Sequence, residues 1–306
     1  MTRAAFVTVD VFTQQRFTGN PLAVFPDARG LDDQTMQQIA AEFGYSEITF
    51  VLPPEDQGHD ARVRIFTPVT EVPFAGHPNV GTAYVLGQQA QLFGKPVGDR
   101  LLFEEKAGLV AVELRRRNGQ VTGAAIRAPR ALQVLDTVAP ETVAACASLQ
   151  PGDVCSRVHP PRIVSVGLAF VVAELTDLDA LGRARADLAA VRQAVAVQPT
   201  PEGDFPLFLY VRDPVDRFRL RARMFAPLDN VAEDPATGSA SGALCAFLAR
   251  LDAAPHGVFD FTIEQGVEMG RASLIEVRVE KDGGMAQSVT IAGACVPVLE
   301  GALSQP

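Results

Sequence analysis

Basic residues are scarce in this chain of 306 residues: 27 Lys and Arg stand against 36 Asp and Glu, a formal charge of −9 at pH 7. The resulting pI near 5.0 disfavours nucleic acid or an anionic membrane surface as main partner, because both are held through clustered positive charge. Long apolar runs are missing too. No window approaches the ~20 apolar residues of a membrane-spanning helix, and the opening MTRAAFVTVDVF turns polar too soon for a signal peptide. Cysteine is sparse, and Cys146, Cys155, Cys245 and Cys295 show no C-x-x-C spacing. That is the pattern of reduced thiols in a cytoplasmic protein. The chain also lacks a G-x-x-x-x-G-K-[ST] phosphate loop, a strand–G-x-G-x-x-G–helix unit, H-E-x-x-H, and a nucleophile elbow around Ser46 or Ser165. Phosphate-loop, dinucleotide-binding, zinc-protease and serine-hydrolase chemistry are set aside on those grounds.

What is present is a globular composition, 47% hydrophobic and 21% charged, long enough for two domains of roughly 150 residues each. The chain also resembles itself. Residues 64 to 84, RIFTPVTEVPFAGHPNVGTAY, and residues 223 to 243, RMFAPLDNVAEDPATGSASGA, share R-x-F-x-P, then a Pro, then G-[T/S] opening a small-residue helix. Each is followed by alternating strands that cross Asn118-Gly119 or Asp282-Gly283-Gly284, a hairpin signal. Upstream, FVTVDVF and PLAVF precede a helix and the strand ITFVLPP, as RIVSVGLAFVVAEL precedes a helix and PLFLYV. The first helix is capped by Asp32, carries Met36, Ile39, Ala40 and Phe43 on one face, and ends at Gly44. The reading is an α+β fold of two pseudo-symmetric halves made by internal duplication. The N-terminal half covers 1–129, with the last strand, about 289–306, crossing back to it; the C-terminal half covers 130–288, opening on a Pro- and Ala-rich joining segment at 130–156.

The duplication directs attention to two helix starts. The small-residue helices, expected at roughly 79–90 and 238–250, would point unpaired N–H groups at one shared cleft and there bind a carboxylate. His77-Pro78 precedes one and Asp234-Pro235 the other. Asp234 reads equally as a helix N-cap with Pro at the first helical position, and His77 as a hydrogen-bonded loop residue. Their equivalent placement at the cleft is what raises both as functional groups. Glu47 stands where Gly44 gives way to a strand, and its counterpart in the second half is near Phe205. One extra carboxylate on one side of a duplicated scaffold is a candidate general acid/base. His59, His159 and His256 read as surface residues, and the runs Glu104–Lys106 and Arg115–Arg117 as solvated charges.

VDVFTQQRFTGNPLAVF, SEITF, FTPVTEVPFAGHPNVGTA and EDPATGSASGAL together resemble the PhzF-like family, the phenazine-biosynthesis isomerases and their relatives. The resemblance runs over essentially the whole chain. It implies a diaminopimelate-epimerase-like fold with the active site in the interdomain cleft, and cofactor-independent isomerisation by proton transfer with no metal. It places the family's proton-carrying glutamate at Glu47 and other polar active-site positions at His77, Asp234 and Ser239. Gly76 and Gly238 match backbone positions that approach substrate. Where the family commonly reads N-x-S-E-T, this chain has Gly44, Tyr45, Ser46, Glu47 and Ile48, a departure that bears on substrate identity. Relatives with this fold that racemise amino acids use two thiols; here His77 and Asp234 occupy those motif positions. The expectation is a cytoplasmic homodimer acting on a small carboxylate-bearing metabolite, similar to trans-2,3-dihydro-3-hydroxyanthranilate isomerase. An epimerase or racemase, or a catalytically silent ligand-binding protein, are the alternatives.

Overall fold

A computed structural model describes residues 4–229 and 231–303. The chain divides into two compact units, one formed by Ala128–Ile291 and the other by the described residues on either side of it. In the flanking unit, β1 (Ala4–Val11) runs antiparallel to β2 (Asn20–Phe25), and α1 (Asp33–Phe43) leads to β3 (Ile48–Leu52), parallel to β2. β4 (Ala61–Phe66) is antiparallel to β3, and two-residue β5 (Glu71–Val72) folds back on it. Then come α2 (Gly76–Gly87) and a two-strand ribbon, β6 (Gln91–Leu92) with β7 (Lys95–Pro96). β8 (Arg100–Glu105) lies parallel to β4, and β9 (Gly108–Arg117) and β10 (Gln120–Arg127) continue from it as hairpins.

The other unit opens on β11 (Gln133–Thr137), α3 (Pro140–Cys146) and β12 (Val154–Cys155). From there the succession of pairings repeats. β13 (Arg162–Ser165) is antiparallel to β14 (Ala169–Leu175); after α4 (Leu178–Arg183) and α5 (Leu188–Val197), β15 (Leu207–Arg212) is parallel to β14. β16 (Arg219–Ala226) is antiparallel to β15, and β17 (Val231–Asp234) folds back on β16. After α6 (Gly238–Leu251), β18 (Gly257–Gln265) is parallel to β16, and β19 (Ser273–Asp282) is antiparallel to β18. The unit boundary falls inside β20 (Met285–Leu303), whose residues from Cys295 onward pair with β1.

Local chemistry accounts for these elements. The Asp32 side chain accepts from Thr35 N at 2.8 Å, and Gly44 closes α1 in the left-handed conformation (φ 65°) with its N–H on Ala40 O. Both motif hairpins turn on residues of positive φ, Asn118-Gly119 and Gly283-Gly284, as the right-handed twist of two-residue hairpins requires. One core of the flanking unit packs Met36, Ile39 and Ala40 of α1 against Ala23, Phe25, Ile48 and Phe50, with Phe25 stacked on Phe50 at 4.9 Å. In the other unit β14 is buried along its whole length, as expected of a strand with neighbours on both edges, and Val171, Ala173, Leu207 and Leu209 join one core.

Four expectations are corrected. The segment at 130–156 is no joining linker: it forms β11, α3 and β12 and contributes Val138, Val143, Cys146 and Leu149 to a core. α2 starts at Gly76, three residues early, so His77 and Pro78 lie within its first turn rather than before it. A proline there forfeits no bond, since the first four N–H groups of a helix have no partner within it. His159 is buried, not on the surface; its Nε2 lies 2.7 Å from the Tyr210 hydroxyl and its ring meets Phe247 edge-on. Within the Glu104–Lys106 run, Glu105 is withdrawn from water and only Lys106 is exposed. Arg115–Arg117 are exposed, as read. No helix among the described residues is long and apolar enough to cross a membrane.

Candidate active site

Glu47 reaches its place through the end of α1. The left-handed Gly44 turns the chain so that Ser46 and Glu47 lead straight into β3. An Asn, the residue the PhzF-like pattern has there, is the other side chain that readily takes this conformation, so Gly44 keeps the turn. Ile48 is fully buried and pairs with Ala23 and Phe66, which makes the second departure a core substitution.

His77 is the second residue of α2, a helix whose twelve residues are all buried. Asn20, at the head of β2, joins the two segments: Ser46 Oγ donates to Asn20 Oδ1 at 3.2 Å, and Asn20 Nδ2 lies 3.3 Å from His77 Nδ1. An Nδ1 that accepts from an amide leaves the imidazole proton on Nε2. Burial holds the His77 pKa down to about 3, so the ring is neutral at any working pH. Its Nε2 is buried without a hydrogen-bond partner and stands 3.7 Å from Glu47 Oε2. With a neutral ring this contact is not an ion pair, and it is too long for a hydrogen bond. A buried donor left unmet costs about 1–3 kcal/mol, a cost that a bound ligand removes.

In the other unit, Asp234 ends β17, and the N-cap of α6 is Thr237, not Asp234. The Asp234 carboxylate, 7% exposed, instead accepts from Thr237 Oγ1 at 2.5 Å. Fully buried Gln265 fixes the turn between strand and helix: its Nε2 donates to Asp234 O at 2.8 Å and its Oε1 accepts from Thr237 N at 3.0 Å. Ser273 Oγ adds a bond to Pro235 O at 2.9 Å. Gly238 and Ser239 are the first two residues of α6, Gly238 buried and Ser239 partly exposed.

Neither α2 nor α6 has a side-chain cap or an acidic residue in its first turn, whereas α1 and α5 are capped by Asp32 and Asp187. Uncapped N–H groups with a positive dipole end suit an anion. All four cysteines are free and buried, and burial pushes the Cys245 and Cys295 thiols well up; neither is poised as a thiolate base. Among the described residues no three His, Cys, Asp or Glu side chains gather as a metal site. The structure thus brings Glu47 and His77 together, and sets Asp234 beside Gly238 and Ser239. Sequence reasoning overlooked Asn20, Thr237 and Gln265, although Asn20 lies in the quoted GNPLAVF stretch and Thr237 in DPATGS.

The family model described as phenazine biosynthesis-like protein matches residues 9–301. An uncharacterized isomerase of Mesorhizobium japonicum is 37% identical over 301 residues, 97% of this chain and 98% of its own. The trans-2,3-dihydro-3-hydroxyanthranilate isomerase of Pseudomonas aeruginosa is 37% identical over 299 residues, with the same shares covered, 97% and 98%. Among solved structures, a Bacillus anthracis phenazine biosynthesis protein of the PhzF family matches with a TM-score of 0.86 at 27% identity, covering 100% of both chains.

Proposed function

The chain belongs to the phenazine biosynthesis-like family and is an isomerase, and from that premise we propose that it moves a proton between two carbons of a small carboxylate-bearing metabolite. Glu47 is the general acid/base. Its carboxylate takes a proton from an activated C–H bond, the electron pair delocalises into the substrate, and the same carboxyl returns the proton at another carbon. The observation that carries this reading is the pair formed by Glu47 and the unmet, neutral Nε2–H of His77, 3.7 Å apart. A positioned acid/base accounts for about 10²–10⁴-fold in rate, and a neutral donor in a desolvated site adds stabilisation for the developing anion.

The uncapped starts of α2 and α6, with Gly76, Gly238 and Ser239, are assigned to the substrate carboxylate, and Asp234 to orienting the substrate. The recurring order of strand pairings in the two units supports internal duplication. The named activity of the Pseudomonas aeruginosa relative makes trans-2,3-dihydro-3-hydroxyanthranilate the first substrate to try. Incubation in D₂O, followed by mass spectrometry, is expected to show substrate consumption with deuterium uptake in the parent protein. Glu47→Gln is expected to lose both by at least 10²-fold. Undiminished turnover by that variant would remove Glu47 from its role. The racemase alternative finds no support in the buried thiols.

A further inference from the structure

The two R-x-F-x-P segments share more than a sequence. Arg64 on β4 forks onto Glu71, with Nε to Oε1 at 2.8 Å and Nη2 to Oε2 at 2.7 Å. Arg223 on β16 forks onto Glu233 in the same way, with both arms at 2.8 Å. Each guanidinium also lies over the Phe two residues on, Arg64 at 5.1 Å from the Phe66 ring and Arg223 at 4.8 Å from Phe225. Each uses its remaining nitrogen, Nη1, on a neighbouring helix. Arg64 meets Asp33 Oδ1 in the first turn of α1 at 2.5 Å, and Arg223 meets the Leu181 and Ala184 carbonyls at the end of α4 at 2.8 and 2.9 Å. The four fork side chains are between 3% and 16% exposed.

The carboxylates are what make this informative. The arginines occupy equivalent places in the repeat, but the acids do not. Glu71 is seven residues after its arginine and six before His77; Glu233 is ten after its arginine and immediately precedes Asp234. The fork has been kept while the position supplying its acid has moved. Each acid lies on the short strand that folds back before a motif helix, β5 before α2 and β17 before α6. Buried ion pairs add little net stability, because desolvation offsets the attraction, so their value lies in fixed geometry. We infer that Arg64–Glu71 and Arg223–Glu233 are a duplicated positioning device that sets the entries to the two motif helices, and so the aim of His77 and Asp234. This rests on the role proposed above for those two residues. The Arg223 fork is the stricter of the pair. It adjoins Asp234 directly and ends on main-chain carbonyls, whereas Glu71 is shared with Lys106 Nζ at 2.6 Å and Asp33 is exposed.

The test is to replace each arginine by lysine, which keeps the charge and loses the fork. Turnover of trans-2,3-dihydro-3-hydroxyanthranilate and amide hydrogen exchange are then read on the same samples. Arg223→Lys is expected to lower kcat by on the order of 10²-fold with KM changed less than about threefold, and to speed exchange at residues 231–240 but not 71–80. Arg64→Lys is expected to speed exchange at 71–80 alone, with a fall in kcat of roughly tenfold. Glu233→Gln and Glu71→Gln, each of which loses one arm, give the same comparison if a lysine variant does not accumulate as folded protein. Unchanged kcat in Arg223→Lys, or faster exchange across both segments and the core strands alike, overturns the inference. If the parent protein does not turn over this substrate, the proposed reaction fails on that substrate, while the reciprocal exchange pattern still decides whether the forks set these segments.

Discussion

Glu105→Gln tests how burial acts on the α2 entry. Glu105 ends β8 beside Asn79, four residues into α2. Burial pushes its carboxyl up to about 8 from an ordinary value of 4.5, against a smaller opposing pull from Asn79. Neither Glu105 oxygen, nor Asn79 Oδ1, makes a hydrogen bond of good geometry, while Asn79 Nδ2 donates to Ala75 O at 3.0 Å. The folded protein therefore holds a neutral carboxyl that the unfolded chain would ionise above about 4.5. A carboxyl of raised pKa takes nothing from stability below its unfolded value. Each pH unit above that value then removes about 1.4 kcal/mol, and the loss levels off past the folded pKa at roughly 3–5 kcal/mol. Glutamine keeps the shape and neutrality and does not titrate. Urea unfolding at pH 5, 7 and 8.5, followed by circular dichroism, is expected to show two proteins within about 1 kcal/mol of each other at pH 5. The variant should then pull ahead by about 2–3 kcal/mol at pH 7 and 3–5 kcal/mol at pH 8.5, a midpoint gap of roughly 1 M or more. Parallel pH profiles, or a variant less stable than the parent at pH 8.5, would refute the reasoning.

Two further outcomes follow from the site. The His77 ring is expected to remain neutral and Nε2-protonated from pH 5 to 8, because burial holds its pKa near 3; imidazole nitrogen shifts of labelled histidine check this, and a midpoint inside that range would contradict it. Gly266→Ala is expected to destabilise the protein by roughly 2–4 kcal/mol in thermal unfolding. Gly266 has a φ of +73°, and a Cβ there would sit 2.5 Å from Pro235 O and 2.6 Å from Arg271 O, pressing on the turn that Gln265 holds. Wild-type stability in that variant would mean the Asp234 turn has slack.

How far the sequence could be read depended on the range over which each residue is determined. α1 was legible because its cap, its apolar stripe and its terminating glycine are local. The hairpin turns were legible for the same reason. Glu47 and His77 were reachable by motif, but Asn20 between them takes its meaning from two segments 26 and 57 residues away, which no spacing rule displays. His159 was misplaced because its partners, Tyr210 and Phe247, are distant in sequence. Glu105 is different, because its placement was open to inference. β8 reads RLLFEE, and period-two alternation puts residues 101, 103 and 105 on one face; Leu101 and Phe103 are almost wholly buried there. The charge run masked that pattern, since three adjacent ionisable residues suggest solvent while a strand sends neighbours to opposite faces. The Arg forks extend the point. The repeated arginine is visible in the sequence, but its acid is not, because the acid comes from whichever position the returning strand brings within reach of the guanidinium. The geometry that recurs along this chain is therefore displayed most faithfully in the residues that reach out, and least in those that are reached.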